Sequence, residues 1–198
     1  MKKKTYEEII RDSPVTYEMY ANMNDDGNRY ELADGVLELM SPSPTFTHQS
    51  IIYELQNRIN ESCRNTFIIV SSPIDVILSD TEVRQPDLIM IHRSRVSIIS
   101  NRGINGAPDL VVEVSSEHSR RRDKVHKRVV YAKYGVPEYW IVDLSNFTLE
   151  QDVLDGTRYE LTEVYAGDNT VQSQTLPCAS FSMNEIVQSL PVPPDRLK

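Results

Sequence analysis

The run from Gln85 to Asp143 decides the fold: QPDLIMI (85–91), GAPDLVVEVSS (106–116), RRRDKVHKRVVYAKYG (120–135) and VPEYWIVD (136–143). Leu88–Ile91, Leu110–Val114 and Tyr139–Val142 are short continuous apolar runs, the pattern of strands buried on both faces. Between the last two lies a helical pattern, Arg120–Tyr134, with Gly135 just beyond its end as a C′ glycine. Strand, helix, strand in that order predicts a crossover joining a parallel pair. Two of the strands carry an acid: Asp87 at the entrance of the first, Glu113 inside the second.

Working outward, Asp34-Gly35 and Asp155-Gly156 each sit between alternating segments and predict hairpins. Ile51, Ile52, Leu55 and Ile59 recur at helical spacing, so His48 to about Glu61 reads as an amphipathic helix. Thr66–Ser71 and Ile74–Leu78 read as strands, Ser79–Glu82 as a turn, and Arg93–Gly106 as a helical turn followed by a loop. A further helical piece covers Tyr17–Met23, and capping boxes at Thr5 and Ser182 open helices near the two ends. The whole is an α/β fold in one domain, 1–198, with its core at about 17–190 and a frayed C-terminal tail.

The chain of 198 residues has a formal net charge of −8, which argues against non-specific coating of nucleic acid. The basic residues are nevertheless clustered: Arg120, Arg121, Arg122, Lys124, Lys127, Arg128 and Lys133 face one acid, Asp123. No apolar run approaches the roughly 18 residues of a membrane span. Glu7 and Glu8 interrupt what could be a signal segment, so the cytoplasm is expected. Cys63 and Cys178 have no metal-ligand spacing and are expected as free thiols.

The acids each have a bland reading. Glu113 shares a strand face with Val111 and Ser115, and fits either an ion pair or a wet edge. Pro-Asp before a strand, as at Asp87, is more often simply a turn. Glu31 in its hairpin reads by default as solvated, and Asp109 as a turn or capping acid. His48 fits a helix cap or packing better than a ligand or base. Trp140, Tyr131, Tyr134 and Tyr139 read as core. The combination carries more. If the two Pro-Asp-Leu strands pair, Asp87 and Glu113 converge at one edge, and one or two carboxylates suffice for Mg²⁺. Asp123, Lys127 and Tyr131 lie at i, i+4 and i+8, so they share a helix face. Lys127 could reach a phosphate there, or merely pair with Asp123.

Taken together, RYELADGVLELMSPSP, HQSIIYEL, LSDTEVRQPDL, GAPDLVVEVSS and DKVHKRVVYAKYGVPEYWIVD resemble the Uma-two family of restriction-endonuclease-like proteins, a branch of the PD-(D/E)XK nuclease superfamily. The resemblance implies a restriction-endonuclease-like core, a central mixed sheet flanked by helices, and an Mg²⁺- or Mn²⁺-dependent cleavage of DNA phosphodiester bonds. It assigns Glu31, Asp87 and Glu113 to the metal site. The superfamily lysine two residues past the last acid is replaced by Ser115, and the resemblance points to Lys127 instead, with Lys124 as the fallback. Arg120, Arg121, Arg122 and Lys124 are the candidate DNA contacts, and a homodimer would let two sites cut two strands. The competing class is a non-catalytic DNA-binding or assembly module whose acids are remnants.

Overall fold

A computed structural model describes residues 14–40, 43–116 and 122–191. The expected helix at Thr5, the C-terminal tail, Arg120 and Arg121 lie outside the described residues. The elements begin with α1 (Tyr17–Ala21), capped by Thr16. A hairpin follows, β1 (Tyr30–Ala33) and β2 (Val36–Leu39). Its turn needs two left-handed residues, and Asp34 (φ 46°) and Gly35 (φ 78°) supply them. A side chain at Gly35 would also come within 2.6 Å of Pro14 Cβ.

Next come α2 (Phe46–Cys63), β3 (Phe67–Ser71), β4 (Val76–Ser79), β5 (Glu82–Arg84) and β6 (Leu88–His92). A 3₁₀ segment over Arg93–Ile98 leads to β7 (Ile99–Ser100) and β8 (Gly103–Asn105). Then β9 (Leu110–Ser115) precedes a π-helical stretch, Arg122–Lys127, that runs into α3 (Arg128–Lys133). The chain closes with β10 (Glu138–Asp143), β11 (Thr148–Asp155), β12 (Arg158–Tyr165) and α4 (Met183–Gln188), the last opened by the Ser182–Glu185 capping box.

The strands form two mixed sheets of six. One has the order β2-β1-β5-β4-β8-β7 and the other β12-β11-β10-β9-β6-β3. In the second, β9 and β10 are parallel, as the crossover requires, while β6 runs antiparallel to β9. Two local readings change. The turn expected at Ser79–Glu82 forms at Asp80 and Thr81, but an unexpected strand, β5, follows it, and β7 and β8 form in the segment expected as a loop. These strands are two or three residues long and partly polar, so alternation is too brief to reveal them.

The second sheet is covered on both faces, and the two-residue period of its strands sorts side chains between two cores. Leu88, Met90, Val112, Trp140 and Val142 pack with Ile51, Leu55 and Ile59 of α2 and with Phe181 and Ile186. Ile89, Ile91, Val111, Tyr139 and Ile141 pack with Tyr131 and Ala132 of α3 and with Val76 and Ile104 of the first sheet. Each such fully buried aliphatic side chain contributes roughly 1.5–3 kcal/mol. Cys63 and Cys178 are joined in a disulfide rather than free, a correction that spacing across 115 residues could not show. The C-terminal end of α2 meets the segment before α4 only through the tertiary fold. Among the described residues, no helix is long and apolar enough to cross a membrane.

Candidate active site

Asp87 and Glu113 meet because of register. Leu88 pairs with Val112 and Ile89 with Val111, so the antiparallel β6–β9 ladder sets Asp87 across from Glu113 on one face. A parallel pairing of the two Pro-Asp-Leu segments would have set Asp87 beside Asp109. Asp109 is instead occupied at the opposite end, accepting from His92 N–H at 2.7 Å and pairing with Arg95 at 2.7 Å.

The face chosen is the one that looks at α3. The wide turn at Arg122–Lys127 carries Asp123 and Lys127 inward, and both are buried along with Tyr131. Lys127 Nζ donates to Glu113 Oε1 at 2.7 Å, and the Tyr131 hydroxyl donates to the same oxygen at 2.9 Å. On its other side Lys127 Nζ lies 3.4 Å from Glu31 Oε1. A solvated Asp123–Lys127 pair, the bland alternative, does not describe these buried groups.

Glu31 reaches the site from β1, at the seam between the two sheets. Its Oε1 also accepts from Gln85 N–H at 2.9 Å, and its Oε2 lies 3.3 Å from Arg84. Arg84 is shared with Glu82, which its Nε contacts at 2.6 Å. Asp87 Oδ2 accepts from Val114 N–H at 2.7 Å and lies 3.3 Å from His48 Nε2. His48, Asp87, Glu113, Asp123 and Lys127 line one cleft of about 390 Å³, together with Arg29 and Gln85.

Burial pushes the Glu113 carboxyl up to about 8; Lys127 opposes this, and the neighbouring Asp87, Asp123 and Glu31 reinforce it. Burial alone would depress Lys127, but Glu113, Glu31 and Asp123 outweigh it and hold the ammonium proton more firmly than in water. Burial depresses His48 too, and Asp87, with the Val114 backbone and Asp123, more than offsets this, so its net shift is upward. Among the described residues, Lys127 and Arg84 are the buried cations that face these acids.

That donor chemistry fits a hard divalent cation. Glu113 Oε2 and Asp87 Oδ1 have no hydrogen-bond partner among the described residues, while the other oxygen of each is fixed by protein donors. Among the described residues, no three His, Cys, Asp or Glu side chains converge closely enough to hold a metal by themselves. Mg²⁺ does not need three, since waters and a substrate oxygen complete its octahedron.

The fold thus brings all four expected residues, Glu31, Asp87, Glu113 and Lys127, to one place. It does not bring Lys124, whose Nζ is held 2.5 Å from Glu150 and 3.8 Å from Asp143. Arg120 and Arg121 lie outside the described residues, and of Arg122 only the backbone is described. Three contributors escape the sequence reading. Tyr131 is core, as expected, but its hydroxyl serves Glu113; Arg84 buttresses Glu31; His48 faces Asp87. The i+4 spacing of Tyr131 from Lys127, and the place of His48 at a helix start after the Ser-Pro-Ser-Pro break, are the hints of them.

Comparison with known proteins bears on this arrangement. The model of the Uma2 family, described as "Putative restriction endonuclease", matches residues 16–184. The crystal structure of a protein from Anabaena variabilis, described as "a putative nuclease belonging to DUF820", superposes with a TM-score of 0.72 over 88% of this chain and 98% of that one, at 18% identity. No curated protein matches the chain. With a family match spanning both sheets, the crossover and every residue of the cleft, the chain belongs to the Uma2 family.

Proposed function

We propose that this protein is a nuclease that hydrolyses DNA phosphodiester bonds, cutting internally and depending on Mg²⁺ or Mn²⁺. The observation that carries the reading is a buried Lys127–Glu113 contact of 2.7 Å in a cleft that Asp87 also lines. The descriptions of the family and of the Anabaena protein support a nucleic-acid substrate.

Asp87 and Glu113 would hold the ion through the oxygens their protein partners leave open, with Glu31 acting on it through its water. The ion would supply Lewis acidity at the phosphoryl oxygen and a more acidic bound water. Lys127 keeps its proton, so its part is that of a fixed cation rather than a base. It would stabilise charge developing on the phosphoryl group or orient the attacking water. Tyr131 and Lys127 together hold Glu113 Oε1, so the carboxylate cannot swing away from the cleft. Arg29 is exposed, lines the same cleft and donates only to the neutral Gln85 amide at 2.6 Å among the described residues, which suits a backbone phosphate better than Lys124, held by Glu150, does. Arg120, Arg121 and Arg122 enter the adjoining sequence and would add charge. A homodimer would present two such clefts to the two strands.

The test is Asp87→Ala. Mn²⁺-dependent cleavage of plasmid DNA should vanish while the far-UV circular dichroism stays native. Undiminished cutting would remove the assignment. Absence of Mn²⁺ uptake by the wild type in calorimetry would favour a binding or assembly module on the same fold.

A further inference from the structure

His48 takes no part in the mechanism above, yet its geometry is specific. Thr45 caps α2, its hydroxyl accepting from His48 N–H at 3.2 Å, so His48 sits in the first turn of an 18-residue helix. Ile51, Ile52 and Leu55 anchor that helix in the core. The imidazole therefore arrives on a rigid element. Its Nε2 lies 3.3 Å from Asp87 Oδ2, with the two side chains only 14% and 18% exposed. Its Nδ1 is buried and meets no hydrogen-bond partner among the described residues.

We infer that His48 is a positioning residue for Asp87, donating from Nε2–H to Oδ2 so that Oδ1 is presented to the divalent ion. The inference rests on the metal-dependent reading of the cleft. A proton on Nδ1 alone would be stranded in the interior, whereas a proton on Nε2 faces an acceptor. Asp87 Oδ2 then has two donors on two different elements, Val114 N–H at 2.7 Å and His48 Nε2. Two donors on one oxygen fix the carboxylate plane, and Oδ1 is left without a competing partner among the described residues. The role needs only the proton on Nε2, which both the neutral tautomer and the imidazolium possess.

The experiment is calorimetric titration of the full chain with Mn²⁺ for the wild type and for His48→Ala, His48→Asn and His48→Gln. A glutamine amide reaches the place of Nε2 with an N–H; an asparagine amide reaches only the place of Nδ1. His48→Ala and His48→Asn should weaken Mn²⁺ binding roughly 10–100-fold, the usual effect of removing a partner of a metal-ligating group, and His48→Gln should recover most of it. Wild-type affinity in His48→Ala, or a His48→Gln variant as weak as His48→Ala, would overturn the inference while leaving the metal reading intact. A wild type that binds no Mn²⁺ would remove both. Should the variants fail to fold, ¹⁵N spectra of the wild-type imidazole still decide: a protonated Nε2 is expected, and a proton on Nδ1 alone overturns the assignment.

Discussion

Lys127 and Glu113 are 14 residues apart in the chain and 2.7 Å apart in space, both buried. The contact joins β9 to the wide helical turn before α3, and Glu31 flanks it from the other sheet at 3.4 Å. Once Glu113 is ionised, above about pH 8 or on metal binding, this is a buried ion pair, and such a pair seldom stabilises a fold, because desolvation offsets its attraction. It makes sense as an arrangement retained for what its charges do.

Lys127 should therefore matter far more than its neighbours. Lys127→Ala should slow Mn²⁺-supported plasmid cleavage about 10²–10³-fold, the loss typical of removing one aligned donor. Lys133→Ala, at an exposed position, should leave the rate near that of the wild type. Equal losses would mean that the lysines act as a diffuse basic surface. Breaking a buried pair also destabilises, by about 3–5 kcal/mol when the remaining charge cannot be neutralised. Glu113 can take up a proton, so urea unfolding of Lys127→Ala should show a loss at or below the low end of that range.

The proton affinity of Glu113 sets a pH dependence. Between the ordinary value of 4.5 and about 8, the folded metal-free chain keeps on Glu113 a proton that the unfolded chain has released. Stability falls as pH rises through that window. Asp75 and His48 are also raised in the folded state and contribute with the same sign. The urea midpoint of the metal-free protein should be lower near pH 8 than near pH 6. Mn²⁺ needs the carboxylate, so its affinity should climb with pH up to about 8 and its binding should release protons below that point. Calorimetry in two buffers of different ionisation enthalpy reads the proton release, and no release near pH 6 would contradict the shift.

What was legible in the chain follows from range. The Asp-Gly turn, the α2 apolar stripe and the strands around Asp87 and Glu113 are set by neighbours within a few residues, and each forms where periodicity puts it. Lys127 was reachable too, because its face is defined by Asp123 and Tyr131 four residues away on either side. The convergence of Asp87 with Glu113 depended on an antiparallel register that two identical Pro-Asp-Leu starts do not specify. His48 lies 39 residues from Asp87 in the numbering, and a histidine in the first turn of a helix reads more readily as capping or packing. Cys63 and Cys178, and the polar strand Glu82–Arg84, are likewise explained only by partners far along the chain.

A second buried acid provides the contrast that tests whether the cleft is special. Glu138 is fully buried at the start of β10, and its side-chain donors are neutral groups. Oε1 accepts from Trp140 Nε1 at 2.6 Å and from Gln151 Nε2 at 2.6 Å, while Oε2 accepts from Ser173 Oγ at 2.7 Å. Gln151 and Ser173 are themselves tied to Gln172 O and Leu176 N–H, so the carboxylate clamps the segment after β12 onto the sheet. Glu138→Leu would strand donors on Trp140, Gln151 and Ser173, each at about 1–3 kcal/mol, although relaxation keeps such losses from adding fully. A drop of at least about 3 kcal/mol in urea unfolding is expected from these donors. Mn²⁺ affinity of the folded variant should stay unchanged, because none of the three donors lines the cleft. An intact stability would mean that the donors find other partners; a weakened Mn²⁺ affinity would mean that the clamp and the cleft are coupled through β10.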